Sequence, residues 1–312
     1  MAEFVKGGSP YDLTTYAGRF RSFLDVVDPR TLVASDSDIA AAESRLLNSE
    51  NVSNYQLWQD QKLTSAVTNG ATGERIMHPF RMSAFVPVNI PLVIGMLNAR
   101  SVAGTLFWQW ANQSFNSATN YANRPGATVS TSDLLQSYGI AVGTSCGLAY
   151  SFRHLALHGP PMVKAIAAVP FVVPYIAVAA AGGANVFFSR KNELSTGVPV
   201  MDGSGKILGN SQKAAEQGLF KTIVSRSLAL PIPVLVLPAI VMQMVPKTAS
   251  PRIKLVMELV AITTSLSLAL PATLAIFPQT MEFDPMSLEP AFHSLLDQNG
   301  EPIKVVFSNK GL

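Results

Sequence analysis

From residue 84 onward the chain alternates long apolar runs with short polar links. Five runs stand out, at about 84–107, 134–152, 163–188, 223–245 and 255–277. A helix needs about 20 mostly apolar residues to cross a bilayer, and the last three runs reach that length with uncharged middles. The first run is the weakest, because Asn98 and Arg100 interrupt it and its cleanest stretch, 84–97, is short. The pattern predicts an all-α fold: a multi-pass helical membrane protein with about five transmembrane helices, occupying 84–278.

The flanks read differently. Residues 1–83 form a soluble helical N-terminal region. Ala17, Phe20, Phe23, Leu24 and Val27 fall at helical spacing before Asp28-Pro29, and Ser35-Asp36 can cap a second helix that runs to Leu47. Asn69-Gly70 and Thr72-Gly73 mark a turn ahead of the first apolar run. The linker at about 190–221 carries Asp202-Gly203-Ser204-Gly205 between Val198-Pro199-Val200 and Ile207-Leu208, which predicts a short hairpin. Residues 279–312 read as a polar C-terminal tail.

Composition agrees with membrane insertion. Hydrophobic residues make up 48% and charged residues 14% of the 312, against about 25% charged in soluble domains; mean hydropathy is +0.27. The net charge of +3 comes without a dense basic run, which argues against nucleic-acid binding. The single cysteine, Cys146, excludes an internal disulfide and reads as a small packing residue. The first 16 residues hold Glu3 and Asp12 and no apolar run, unlike a secretory or Arg-rich transit segment. His78, His154, His158 and His293 form no metal motif, and no phosphate loop or nucleophile elbow in strand context is present. The expectation is a non-enzyme with no cofactor and no metal.

The most informative chemistry lies at about 107–124, FWQWANQSFNSATNYANR. On a helix, Gln109, Asn112, Gln113, Asn116, Asn120 and Asn123 fall within an arc of about 100°, with Trp108, Trp110, Phe115 and Tyr121 away from its centre. Amides donate and accept hydrogen bonds without charge, so they suit a zwitterion or hydroxyl group that must also be released. Interhelical hydrogen bonding and an interfacial helix are the alternative readings of the same stripe.

Other features add candidates. Gly139, Gly143 and Gly147 give a small-residue ridge for helix packing, and Ala141, Ser145 and Ala149 give a second. Prolines recur inside the apolar runs (Pro87, Pro91, Pro170, Pro174, Pro231, Pro233, Pro238, Pro271), and each frees a carbonyl that lipid cannot satisfy. Broken helices of this kind recur at transporter binding sites. Asn89 lies between Pro87 and Pro91, and Gly182-Gly183-Ala184-Asn185 near the end of the third run is a similar feature, whose Asn185 can bind a ligand or hydrogen-bond a neighbouring helix. Arg100, or backbone amides near Pro87 and Pro91, are candidates for a substrate carboxylate. Glu258 is the one acid within the apolar runs and a candidate for an ammonium group or coupling ion, with an i,i+4 pair to Lys254 as the structural alternative.

Several blocks, in order, resemble the sideroflexin family. They are Phe23-Leu24-Asp25-Val26-Val27-Asp28-Pro29-Arg30; Arg81-Met82-Ser83-Ala84 with Val86-Pro87 and Asn89; the Phe107–Arg124 stretch; Glu193-Leu194, Gly197-Val198-Pro199-Val200 and Leu208-Gly209; Phe277-Pro278-Gln279; and Asn309-Lys310-Gly311-Leu312. One departure is Asn69-Gly70-Ala71-Thr72-Gly73-Glu74, where the family shows His-Pro-Asp-Thr-Gly-Glu. The resemblance implies a multi-pass carrier in the mitochondrial inner membrane that moves serine, with other small neutral amino acids, for one-carbon metabolism. It also brings alternatives: a non-transporting protein of respiratory-complex assembly, or an iron-related metal transporter. Implied partners are the amino acid, membrane lipid, and contacts within a homo-oligomer or with a respiratory complex.

Overall fold

The computed structural model describes residues 3–70, 72–123, 131–169, 171–296 and 300–310. Ala71, Arg124, Pro170, Gly311 and Leu312, singled out above, lie outside them. The N-terminal region is three helices, α1 (Tyr16–Val26), α2 (Asp36–Leu47) and α3 (Asn54–Val67). Each starts where a hydroxyl can satisfy free backbone N–H groups: Thr15, Ser35 in a capping box with Asp38, and Ser53. Arg45 pairs with Asp60 at 2.7 Å and joins α2 to α3, while Lys62 bridges Asp25 and Asp28 at 2.7 and 2.6 Å.

The apolar part forms a helical bundle. The first apolar run is not one helix: it divides into α4 (Phe85–Asn98) and α5 (Val102–Ala122). The break falls at 99–101, where Ala99 turns extended and Ser101 caps α5 by accepting from Gly104 N–H. At 1.5 Å per residue α4 is about 21 Å long, short of the roughly 30 Å of hydrocarbon. There follow α6 (Thr131–His158), the short α7 (Pro161–Ala167) and α8 (Val172–Arg190). The third run therefore also starts its long helix later than the sequence suggests. After α9 (Glu193–Thr196) comes a continuous helical rod, Gln212–Met244, made of α10 (Gln212–Thr222), two wider π-type segments (Ile223–Ala229 and Ile232–Val236) and α11 (Leu237–Met244). Leu230 N–H bonds Ser225 O, five residues back, just before Pro231, which has no N–H to continue an α ladder. The last helix is α12 (Pro251–Leu274).

Among the described residues, three helices are long and apolar enough to cross a membrane: Val172–Arg190, Gln212–Met244 and Pro251–Leu274. The count of five expected from the sequence is not reached by that measure, because α4 is too short and α6 is long but less apolar. Only 28–33% of each apolar window is buried within the chain. Leu255, Val256, Val260 and Leu268 of α12 face outward, as lipid-facing side chains do.

The fold is not purely helical. A four-stranded antiparallel sheet has the order β2-β1-β4-β3, with β1 (Val198–Met201), β2 (Ile207–Ser211), β3 (Thr280–Phe283) and β4 (Val306–Asn309). The expected hairpin is β1–β2, with a register shift between Val200 and Met201. The expected polar tail is instead built into the sheet: Val200 pairs with Ser308, and Met281, Phe283, Leu288, Phe292 and Val306 form its own small core with Val200 and Ala214. Phe23 of α1 and Val27 just after it pack on Leu270, Leu274 and Ala275, and Arg19 Nε donates to Ala275 O at 2.9 Å. The N-terminal helices thus pack at the end of α12 from which the chain enters β3.

Candidate functional site

A cavity of about 120 Å³ lies inside the bundle between α4, α5, α8 and the π-type wall of the Gln212–Met244 rod. A water needs roughly 10–15 Å³ by the same measure, so the space suits a solute of about eight to twelve non-hydrogen atoms, or fewer with water. Its wall is mixed: Val93, Met96, Leu235 and Leu270 are apolar, and Asn112, Gln113, Asn116, Asn120, Asn185 and Arg226 are polar.

The amide stripe supplies most of the polar wall. Asn112 and Gln113 are 4% and 1% exposed, yet Asn112 Nδ2 and Gln113 Nε2 have no hydrogen-bond partner among the described residues. Thr119 Oγ1 and Ser227 Oγ, also on the wall, are likewise unpartnered. Buried polar atoms are normally paired, so unpartnered groups on residues that share one cavity wall mark it as a place for an occupant, water or solute. Asn89 lines the wall with its Nδ2 donating to Phe85 O at 2.8 Å, and Asn185 lies across from it on α8.

The remaining sequence candidates lie elsewhere. Gln109 is turned away from the cavity, and its Oε1 accepts from Ser145 Oγ at 2.7 Å. That is the interhelical hydrogen bond, not substrate contact. Arg100 sits exposed at the α4–α5 break, where its carbonyl accepts from Arg153. Glu258 is bonded by Asn98 Nδ2 at 2.7 Å, also outside the cavity and without the Lys254 pair, since Lys254 Nζ donates to Lys247 O. Gly139, Gly143 and Gly147 are exposed, and a Cβ at any of them would meet nothing within 4 Å. The ridge that packs inside the chain is the second one, with Ala141, Ser145 and Ala149 all fully buried.

Arg226 is the residue that sequence reasoning passed over. It lies deep in the bundle and lines the cavity, and its Nη2 donates to Asn120 Oδ1 at 3.0 Å. It is the only ionisable side chain on the cavity wall among the described residues, and no carboxylate pairs with it. The available signal was a single basic residue within the 223–245 apolar run, a rare placement that marks function by default. Gly182 brings α8 close to this wall; a Cβ there would stand 3.2 Å from Ser227 Oγ.

The departed turn is also structural. Asn69, 6% exposed, donates from Nδ2 to Ala122 O at 3.0 Å and so ties the turn to the last turn of α5. His154 and His158 stand with rings 4.7 Å apart; among the described residues no group of three or more His, Cys, Asp or Glu is placed to hold a metal.

The family model for sideroflexins matches residues 7–312. A sideroflexin of Dictyostelium discoideum is 36% identical, with 97% of this chain and 95% of the relative covered. Human sideroflexin-5 is 36% identical over 99% of this chain and 93% of its own, and human sideroflexin-3 is 32% identical over 97% and 96%. No solved structure matches. With the resemblance carried along nearly the whole length, the chain belongs to the sideroflexin family.

Proposed function

We propose that this chain is a carrier of serine and other small neutral amino acids in the mitochondrial inner membrane. The observation that carries the reading is the cavity: buried, unpartnered amide donors and one unpaired guanidinium enclosed by helices that turn apolar faces outward. Leaving such groups unsatisfied costs free energy, and a small zwitterion with a hydroxyl group meets them all. Its carboxylate takes charged or amide N–H donors, and its ammonium and hydroxyl take the side-chain carbonyls of Asn116, Asn120 and Asn185. Serine fits the available volume. The π-type wall beside Pro231 supplies a helix already out of register, where a change of tilt costs little backbone bonding.

The test is uptake by purified protein in proteoliposomes. Replacing Asn112 and Asn116 with leucine fills the polar wall with apolar bulk and is expected to lower labelled-serine uptake at least about tenfold, as loss of two or more hydrogen bonds implies. Unchanged uptake removes the amide stripe from the mechanism. Absence of uptake by the unaltered protein removes the carrier reading itself.

A further inference from the structure

The charge inventory of the cavity is one-sided. Among the described residues Arg226 is its only ionisable group and no Asp or Glu lines the wall, and Arg190 and Lys310 lie near enough to Arg226 to repel it. The nearby acid, Glu193, is already bound by Arg190 at 2.6 Å. Lys310, at the end of β4, is 1% exposed and adds a second buried cation on the same side. A buried guanidinium without a counter-ion is costly. It uses one of its donors on Asn120, which leaves the others for a planar anion. Asn112 Nδ2 and Gln113 Nε2, buried and unpartnered on the same wall, are further donors for the same group. By contrast, nothing on the wall carries the negative charge that would distinguish an ammonium from a hydroxyl. The acceptors present are neutral amide oxygens, which accept from O–H as well as from N–H, and no carboxylate is there to offset the desolvation of an ammonium.

We infer that the cavity selects its solute by a carboxylate seated on Arg226, and that an ammonium on the neighbouring carbon is exchangeable for a hydroxyl. Small 2-hydroxy carboxylates are then ligands of the same site as amino acids. The inference rests on the cavity being the solute site proposed above. Arg226 is the specificity-determining residue. The excess positive potential favours a net anion over a zwitterion of equal size, so the hydroxy acid binds at least as well as its amino counterpart.

The experiment uses the full chain in proteoliposomes and competes three unlabelled probes against labelled L-serine. The probes are L-serine itself, L-glycerate (hydroxyl in place of ammonium) and 2-amino-1,3-propanediol (no carboxylate). Glycerate is expected to compete within about threefold of serine. The diol is expected to be weaker by about 10–150-fold, the range for a lost charge-assisted hydrogen bond. Arg226→Gln is expected to raise the serine KM by a similar factor. It should leave the melting temperature of the purified protein unchanged or higher, since it removes an unpaired buried charge; a merely structural Arg226 would lower it. Arg226→Lys, which keeps the charge, is expected to recover part of the affinity. Competition by the diol equal to that of serine, or glycerate weaker than serine by more than tenfold, overturns the inference while leaving the carrier reading standing. Import of neither serine nor glycerate by the unaltered protein overturns both.

Discussion

Gly95 of α4 is buried against Trp108 of α5, and a Cβ built there would lie 2.1 Å from Cδ2 and Cε2 of the indole and 2.6 Å from Cε3. Carbon atoms in favourable contact stand about 3.5–4.0 Å apart, so Gly95→Ala forces the ring back by roughly 1.5 Å. Trp108 is half-buried and packs on the main bundle core beside Val93 and Met96, so the ring gives up part of that packing when it retreats. Overpacking of this size costs about 1–3 kcal/mol. The outcome expected is a melting temperature several degrees lower in detergent, with serine uptake per folded molecule reduced because α5 carries the amide wall. Trp108→Ala alone opens a void and costs about 3–5 kcal/mol. The double variant is expected to be less destabilised than the two single losses combined, by about 1–3 kcal/mol, because the added methyl then enters the space the ring vacated. Strict additivity in that cycle would show that the two residues do not confront each other and would refute the packing of α4 on α5 described here.

Two further expectations concern pH. Burial by itself would raise the Asp28 carboxyl, but hydrogen bonds from Arg30 and Lys62 hold it well below the usual range; burial also opposes Asp60, where Arg45 and Gln56 prevail. Both folded-state values lie below the unfolded one of about 3.9. Their contribution is therefore complete above that pH and is lost as pH falls through the folded values. Melting temperature should hold steady from pH 7 to about 5 and then fall, and Lys62→Met should lower it at pH 7 and make the acid fall shallower, because the folded Asp28 value moves back toward the unfolded one; an unchanged profile counts against the Lys62 bridge. Lys310 behaves oppositely: burial, then repulsion by Arg226 and Arg190, pushes its ammonium down to about 8 from an ordinary 10.5. Below pH 8 both states hold the proton and the folded state bears the penalty. Between 8 and 10.5 the unfolded chain keeps a proton that the folded chain has shed, so stability climbs with pH. Lys310→Met should raise the melting temperature at pH 7 and abolish that climb; an unaltered profile refutes it.

Much of the site was legible in the sequence because one physical rule governs it. At 100° per residue the amides of α5 share a face, and a face without Lys or Glu inside an apolar chain must point inward. Asn112, Gln113, Asn116 and Asn120 do so, with Asn89 and Asn185 opposite. Gln109, on the same face but nearer the start of α5, meets Ser145 instead, because α6 crosses there. Periodicity could not choose between the two small-residue ridges of α6, since both have the right spacing; only the position of α8 and α5 decides that Ala141, Ser145 and Ala149 face in. Arg100 was a candidate on a first apolar run that Asn98 and Arg100 already interrupted, and the break capped by Ser101 places it exposed between α4 and α5; Glu258, near the start of α12, meets Asn98 instead of Lys254. β3 and β4 are four residues each and pair across the chain, so no local signal of length announced them, although Met281 and Phe283 alternate inward.

The strand order has a consequence for biogenesis. β1 and β2 precede the rod Gln212–Met244 and α12, while β3 and β4 follow them, and β4 joins the two halves by lying between β1 and β3. The sheet can close only after both intervening helices have been laid down and have returned the chain to its starting side. A pair left half-threaded, or inserted upside down, would strand β4 away from β1. The sheet therefore acts as a proofreader of topology: an unpaired, protease-sensitive β1–β2 hairpin marks a chain whose last helices have gone in wrongly.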